Sequence, residues 1–291
     1  MHQNYTRMHN FNLRNSALIL EGGGMRGTFT AGVLDTFLRR DIHFPYLIGV
    51  SAGSTNALSY LSKQIGRTRS INIDMLNKYH YIGFKHYVRK KNWIDYDLLF
   101  HSFPFNEVPF DFDAFFSNET TYEFVATDCL TGKAHYLTEK EDPDRLLTIC
   151  KASCSLPFIS PVVDVDGTPM LDGGISDSIP IERAISKGYK NSVLVLTQEK
   201  GYRKKISSIQ IPKFALRKYP KICEGLNFRA YKYNETMDLV ENLEKKGEIT
   251  VIRPTDIFGV TRTEQDTIKL MKLYLHGMDI AQEFLNNHQV K

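Results

Sequence analysis

A serine set between glycines is the first place to look for chemistry. Gly49-Val50-Ser51-Ala52-Gly53 fits G-x-S-x-G, follows the apolar run Tyr46-Leu47-Ile48 and precedes a helical pattern. That setting is a nucleophile elbow, a sharp strand-to-helix turn that holds a hydroxyl clear of the sheet. Gly49 and Gly53 are needed because a side chain at either position would collide with adjacent strands. The helix that begins after Ser51 points its positive end at the hydroxyl, which favours an alkoxide and a nearby oxyanion. A tight turn that merely contains a serine would show the same five residues.

A second glycine-rich turn, Gly22-Gly23-Gly24-Met25-Arg26-Gly27, also joins a strand to a helix. It fits G-x-G-x-x-G, but a dinucleotide site needs an acid closing the second strand to hold a ribose. Here that strand ends in Gly49-Val50-Ser51, and the nearest acid, Asp41, precedes it. The same loop can instead form an oxyanion hole, in which Gly22, Gly23, Gly24 and Gly27 let bare N–H groups converge on developing charge. One such donor contributes roughly 3–4 kcal/mol to a transition state. Arg26 would add positive potential, although an arginine in a turn equally suits a surface salt bridge.

Met170-Leu171-Asp172-Gly173-Gly174 places a carboxylate at a strand end, with Gly173 and Gly174 permitting a sharp turn. Asp172 could take the serine proton directly, or serve between Ser51 and His276 in a triad. The bland alternative is an Asx-type turn cap. A free aspartate titrates near ~3.9, so a direct role requires partial burial. The triad is weakened because only one strand precedes the serine and His276 lies within an amphipathic helix. His80, His86, His101 and His135 belong to no local motif and read as surface or packing residues.

The elements that must position these groups alternate between strand and helix, which argues for an α/β architecture. Ala17–Leu20 and Tyr46–Val50 read as buried strands, and Phe29, Val33 and Phe37 mark a helix between them. A helix through Leu58 and Leu61 follows, then an aromatic-rich, irregular stretch over 65–118 that covers something. Further strands are Tyr122–Thr127, His135–Leu137, Ser192–Leu196 and Ile249–Ile252, with a hairpin over Val162–Leu171 turning at Asp166-Gly167. Asp144–Ser153 reads as a helix. A last helix from Thr263 to about Asn287 carries Ile268, Met271, Leu275, Met278 and Leu285 on one side. Met1–Ser16 reads as a loose polar tail, and 17–291 as one domain, with its motifs in 17–196 and a basic, helical part in 197–291.

Taken together, the motifs resemble the patatin-like phospholipase family over Ala17 to about Leu196. Glu21 to Gly27 resembles its glycine-rich oxyanion loop, Gly49 to Gly53 its elbow, and Asp172-Gly173-Gly174 its D-G-G/A motif. Ala152-Ser153-Cys154-Ser155-Leu156-Pro157-Phe158, with Pro161-Val162, is similar to its A-S-x-x-x-P segment. Ala126-Thr127-Asp128 followed by Thr131-Gly132 is similar to a strand pair of bacterial members. The resemblance implies a three-layer α/β/α fold with a mostly parallel central sheet. It also implies a Ser51–Asp172 dyad without histidine, and calcium-independent hydrolysis of lipid acyl esters with no metal or cofactor. Asp177-Ser178 stands where plant-type members often carry asparagines, which puts a plant-like substrate preference in doubt.

Composition provides enough apolar material for a sizeable core and rules out wholesale disorder. The 291 residues are 42% hydrophobic and 24% charged, with a net charge of +4, too mild to announce nucleic-acid binding. No run approaches 18 apolar residues, so no transmembrane helix is encoded. Cys129, Cys150, Cys154 and Cys223 form no C-x-x-C pair, as expected of reduced thiols in a cytoplasm. Gln198–Tyr233 carries ten basic residues against two acidic, interleaved with Tyr202, Phe214, Tyr219, Phe228, Tyr231 and Tyr233. That mixture suits peripheral contact with an anionic membrane, or simply a solvated flank.

Overall fold

Continuous apolar runs have no polar face to offer solvent, so they fold as strands covered on both sides. The computed structural model, which describes residues 9–11, 13–83, 86 and 92–290, carries this out with eight strands in one sheet. Strand β1 (His9–Phe11) lies outside it; β2 is Ala17–Leu20, β3 Tyr46–Val50, β4 Thr121–Asp128 and β5 Ala134–Leu137. Then come β6 (Val163–Val165), β7 (Thr168–Asp172), β8 (Ser192–Val195), β9 (Ile249–Ile252) and, paired with β1, β10 (His288–Val290). The sheet order is β6-β7-β4-β3-β2-β8-β9, with β5 also on β4. From β4 to β9 the pairs are parallel, whereas β5, β6 and β7 form an antiparallel margin.

Alternate residues of each strand feed two separate cores. Leu18, Leu20, Leu47, Phe124 and Ala126 pack with α1 (Thr28–Arg39), α2 (Ala52–Leu61) and α3 (Pro143–Cys154). Ala17, Ile19, Ile48, Val50 and Val125 face the other way, onto α4 (Ile181–Ser186) and α5 (Pro220–Lys245). The result is the three-layer α/β/α arrangement with a mostly parallel centre.

The last helix, α6 (Thr267–Asn287), begins where the Asp266 carboxylate accepts from the amides of Ile268 and Lys269. Its buried seam only partly matches the expected stripe: Met271, Met278 and Leu285 pack against the core, but Ile268 and Leu275 are exposed, and Leu270, Leu273, Tyr274, Gly277, Ala281 and Phe284 are the buried residues. Two glycines set this seam. A Cβ on Gly32 would stand 2.1 Å from the Tyr274 carbonyl oxygen, and one on Gly277 2.1 Å from that of Phe29. Helices α1 and α6 therefore cross backbone to backbone, and that crossing, not side-chain hydrophobicity, selects the inward face.

Two further expectations change. His9–Phe11, inside the expected loose tail, pair in parallel with His288–Val290, and Ser16 is fully buried; residues 1–8 and 12 lie outside the described residues. The 65–118 stretch holds successive helical turns, among them Arg67–Arg69, Leu98–Glu107 and Phe112–Phe116, and its residues 84, 85 and 87–91 lie outside the described ones.

Candidate active site

Ser51 is the hinge between β3 and α2, and its backbone takes φ 54° and ψ −122°. For a residue with a side chain such a conformation costs about 1–3 kcal/mol and persists only where its surroundings impose it. A Cβ on Gly53 would stand 2.5 Å from the Leu20 carbonyl oxygen, and one on Gly49 2.9 Å from the backbone of Gly53. The elbow thus closes against β2 at one glycine and on itself at the other. Ser51 makes no side-chain cap to α2; it lines the cavity, with its hydroxyl within hydrogen-bonding reach of the Cys154 thiol.

Asp172 ends β7 and is 2% exposed. Its amide donates to the Ser155 carbonyl at 2.7 Å, and its carbonyl accepts from the Thr127 hydroxyl at 2.8 Å. Oδ1 accepts from the Gly174 amide at 2.7 Å, the expected Asx-type cap. Oδ2 is buried and has no hydrogen-bond partner. Turn capping therefore explains one oxygen and leaves the other without a partner, on a residue that lines the same cavity as Ser51; no described hydrogen bond joins the two side chains.

The pairing of β4 explains why they meet. Its residues Phe124 and Val125 pair with both β3 and β5, and Ala126 and Thr127 with both β5 and β7. A strand has two edges, so β3 and β7 share one edge of β4, end to end, with their C-termini abutting. The A-S-x-x-x-P segment fills the junction. The Ser153 hydroxyl accepts from the Ser51 amide at 2.9 Å and donates to the Val125 carbonyl at 2.6 Å.

Gly22, Gly23 and Gly24 line the cavity, and a Cβ on Gly22 would stand 2.9 Å from that of Ser51. The Met25 amide donates to the Arg262 carbonyl and that of Arg26 to the Gly23 carbonyl. Outside the helices and strands, no described backbone hydrogen bond uses the amides of Gly22, Gly23 or Gly24. Gly27 does not line the cavity: it ends the Gly24–Gly27 turn with its carbonyl accepting from Asn56 at 2.9 Å, which takes it out of the expected oxyanion set. Gly173 sits behind the site, against the Val125 carbonyl, while Gly174 reaches the wall. Arg26 lines the cavity with its Nε buried and unpartnered; burial, then Arg262, lowers its pKa.

Among the described residues, no histidine lines the cavity. His276 Nε2 lies 3.1 Å from the amide and hydroxyl of Thr255, and its ring packs on Phe29 and Phe258. Asp128 caps the turn after β4 by accepting from the amide of Leu130 and the hydroxyl of Thr131. Asp177 accepts from the Tyr136 hydroxyl, off the cavity wall. Burial, with Asp172 adding to it, pushes the Cys154 thiol well up, so this neighbour of Ser51 stays protonated. All four cysteines are free. Among the described residues, no group of three or more His, Cys, Asp or Glu could hold a metal ion.

Motif reading missed two walls. Ile71, Tyr81, Ile94, Leu99, Phe100 and Pro104, from the aromatic stretch, make one side apolar. Lys204, Arg229 and Arg262 make another cationic. The first two belong to the basic segment that was expected to face outward; Arg203, from the same segment, pairs with Asp238 and Glu241. Only the excess of charge signalled them, because no spacing rule points a lysine inward.

The fold and site define a class: a three-layer α/β protein that presents a strained serine at a strand-to-helix elbow beside a glycine loop. The chain belongs to the patatin-like phospholipase family, whose model matches residues 18–185. A second model, a domain of unknown function (DUF6363), matches residues 219–289. The chain is 33% identical over 187 residues to the uncharacterized protein YjjU of Escherichia coli (strain K12), covering 62% of this chain and 51% of that one. It thus spans about half the length of that relative. The crystal structure of VipD from Legionella pneumophila is similar with a TM-score of 0.53 at 12% identity, over 99% of this chain and 72% of VipD. At that identity the likeness is one of fold.

Proposed function

We propose that the protein hydrolyses fatty-acyl esters of lipids through Ser51 and Asp172. The observation that carries this reading is the shared cavity, which is lined by a strained serine, by an aspartate with one buried, unpartnered carboxylate oxygen and by the glycines Gly22, Gly23 and Gly24. The Ser51 oxygen bonds to the ester carbonyl carbon while its proton passes to Asp172. The tetrahedral oxyanion rests on the amides of Gly22, Gly23 and Gly24, with Arg26 nearby. Collapse breaks the bond to the alcohol oxygen, which takes the proton from Asp172. Water then attacks the acyl-serine, gives its proton to Asp172 and releases the fatty acid as Ser51 is reprotonated. Hydrogen bonds of this kind are often long before substrate binds, and tighten afterwards.

The apolar wall suits an acyl chain. A fluorophosphonate probe followed by peptide mapping tests the reading without choosing a substrate: Ser51 should be the labelled residue. Failure to label it in folded protein overturns the assignment.

Membrane docking is a second reading. It rests on Ile206, Ile209, Phe214, Phe228 and Tyr231, all exposed, close in sequence to exposed Lys205, Arg217 and Lys218. No helix among the described residues is long and apolar enough to cross a membrane, so contact by this route would be peripheral. Sedimentation with anionic vesicles that weakens as salt is raised supports docking. No binding to anionic vesicles, or binding indifferent to salt, contradicts it.

A further inference from the structure

We infer that this cavity selects acyl esters whose head group is a phosphate carrying no cation, read by Lys204, Arg229 and Arg262. The inference rests on the acyl-hydrolase reading and adds a specificity that the serine, aspartate and glycine motifs do not contain. All three cations lie beyond the segment matched by the patatin-like model, yet they line the cavity that holds Ser51 and Asp172.

Glu21 and Asp172 lie near enough to offset part of this charge, but no close ion pair neutralises it. Among the described residues, none of Arg26, Lys204, Arg229 and Arg262 is ion-paired with a carboxylate, in contrast to neighbouring Arg203. The Arg229 Nε donates to the Gly174 carbonyl, and Lys204 Nζ lies 3.3 Å from the Ser178 hydroxyl and 3.7 Å from the centre of the Tyr233 ring. Arg262 faces the other three closely enough to disfavour the charge on each. Burial and the neighbouring guanidinium groups press Lys204 to give up its proton, an arriving anion would restore it, and the guanidinium forks of Arg229 and Arg262 match phosphate oxygens in geometry.

The acids on the wall explain why a zwitterionic head group would fit poorly. Among the described residues they are Glu21 and Asp172. Glu21 accepts from the amide and hydroxyl of Thr197 and from the Tyr233 hydroxyl, so both its oxygens are engaged. Asp172 is committed to Gly174 and to the proposed proton transfer. A choline ammonium would therefore meet cations and find no carboxylate.

The test compares three substrates with one acyl chain: octanoyl glycerol phosphate, octanoyl glycerophosphocholine and octanoyl glycerol. The wild type should prefer the phosphate over the choline ester by about tenfold or more in kcat/KM. Lys204→Met and Arg262→Gln should each shrink that ratio severalfold, mainly through KM, and Lys204→Arg should restore it. Inorganic phosphate should inhibit competitively, and less so in Lys204→Met. Equal or better use of the choline ester overturns the inference. So does inhibition by free phosphate without any preference among the esters, which would mark a site for the free anion. Cleavage of octanoyl glycerol by wild type but not by Ser51→Ala, with no phosphate preference, sinks the subsite alone. Absence of all ester cleavage sinks the acyl-hydrolase reading beneath it.

Discussion

Ser51 and Asp172 approach one edge of β4 from opposite directions and leave it at consecutive rungs. Val50, just before Ser51, is registered with Val125, and Asp172 with Ala126. Two strand ends that abut on a shared neighbour bring their turns together without any contact between the strands themselves. The Ser153 hydroxyl, between the Ser51 amide and the Val125 carbonyl, relays across the break where the β3 ladder stops.

Removing that relay tests whether it positions the nucleophile. Ser153→Ala leaves a buried amide and carbonyl without their bridge, at a cost of about 1–3 kcal/mol. The melting temperature should fall, and fluorophosphonate labelling of Ser51 should slow more than a destabilised but native site would show. Wild-type labelling beside a lowered melting point would reduce Ser153 to a structural role.

Asp172→Asn keeps an oxygen for the Gly174 amide but loses the proton acceptor. Loss of a positioned base lowers kcat by roughly 10²–10⁴-fold. The variant should melt within a few degrees of wild type and hydrolyse p-nitrophenyl octanoate at that reduced rate. A kcat near wild type would remove Asp172 from the chemistry.

Gly22→Ala places a methyl group 2.9 Å from the Ser51 Cβ and 3.0 Å from the Val50 carbonyl oxygen. The loop must shift to admit it, carrying its amides away from the oxyanion position. Loss of one such donor costs about 10²–10³-fold in kcat, with KM less affected. Steady-state kinetics on the same ester would show the split.

Burial, helped by Arg229 and Arg262 and opposed by Glu21 and Asp172, lowers the pKa of Lys204 to about 6. The unfolded lysine titrates near ~10.4, so between these values the unfolded chain binds the extra proton and stability rises with pH. Lys204→Met removes this linkage. Its gain in melting temperature should be largest at pH 6 and below and shrink toward pH 10, as a series of thermal melts would show.

Gly32→Ala tests the helix crossing, because its Cβ would stand 2.1 Å from the Tyr274 carbonyl oxygen. Forcing α1 and α6 apart should lower stability by roughly 1–3 kcal/mol, read from urea midpoints. An unchanged midpoint would show that the crossing tolerates separation.

Much of this was legible in the chain because burial writes itself into local pattern. Ala17–Leu20, Tyr46–Val50 and Ile249–Ile252 are strands with the boundaries their apolar runs predict. The elbow was equally readable, since Ser51 between Gly49 and Gly53 reports a backbone constraint carried by neighbouring residues. The seam of α6 was legible only in part: Met271, Met278 and Leu285 pack on the core, but exposed Ile268 and Leu275 are as apolar as buried Leu270 and Leu273, so periodicity alone does not place its centre. Its true face is fixed by where Gly32 and Gly277 let two backbones touch.

What the sequence determined by itself, then, was the sheet, the strained serine and the aspartate at a strand end, each specified by residues adjacent to it. Tertiary structure alone decided that β3 and β7 share an edge of β4, that Gly27 turns away from the cavity, and that Lys204 and Arg229 turn into it. Those outcomes depend on contacts between segments far apart in the chain, and the direction of a charged side chain follows from the elements packed around it.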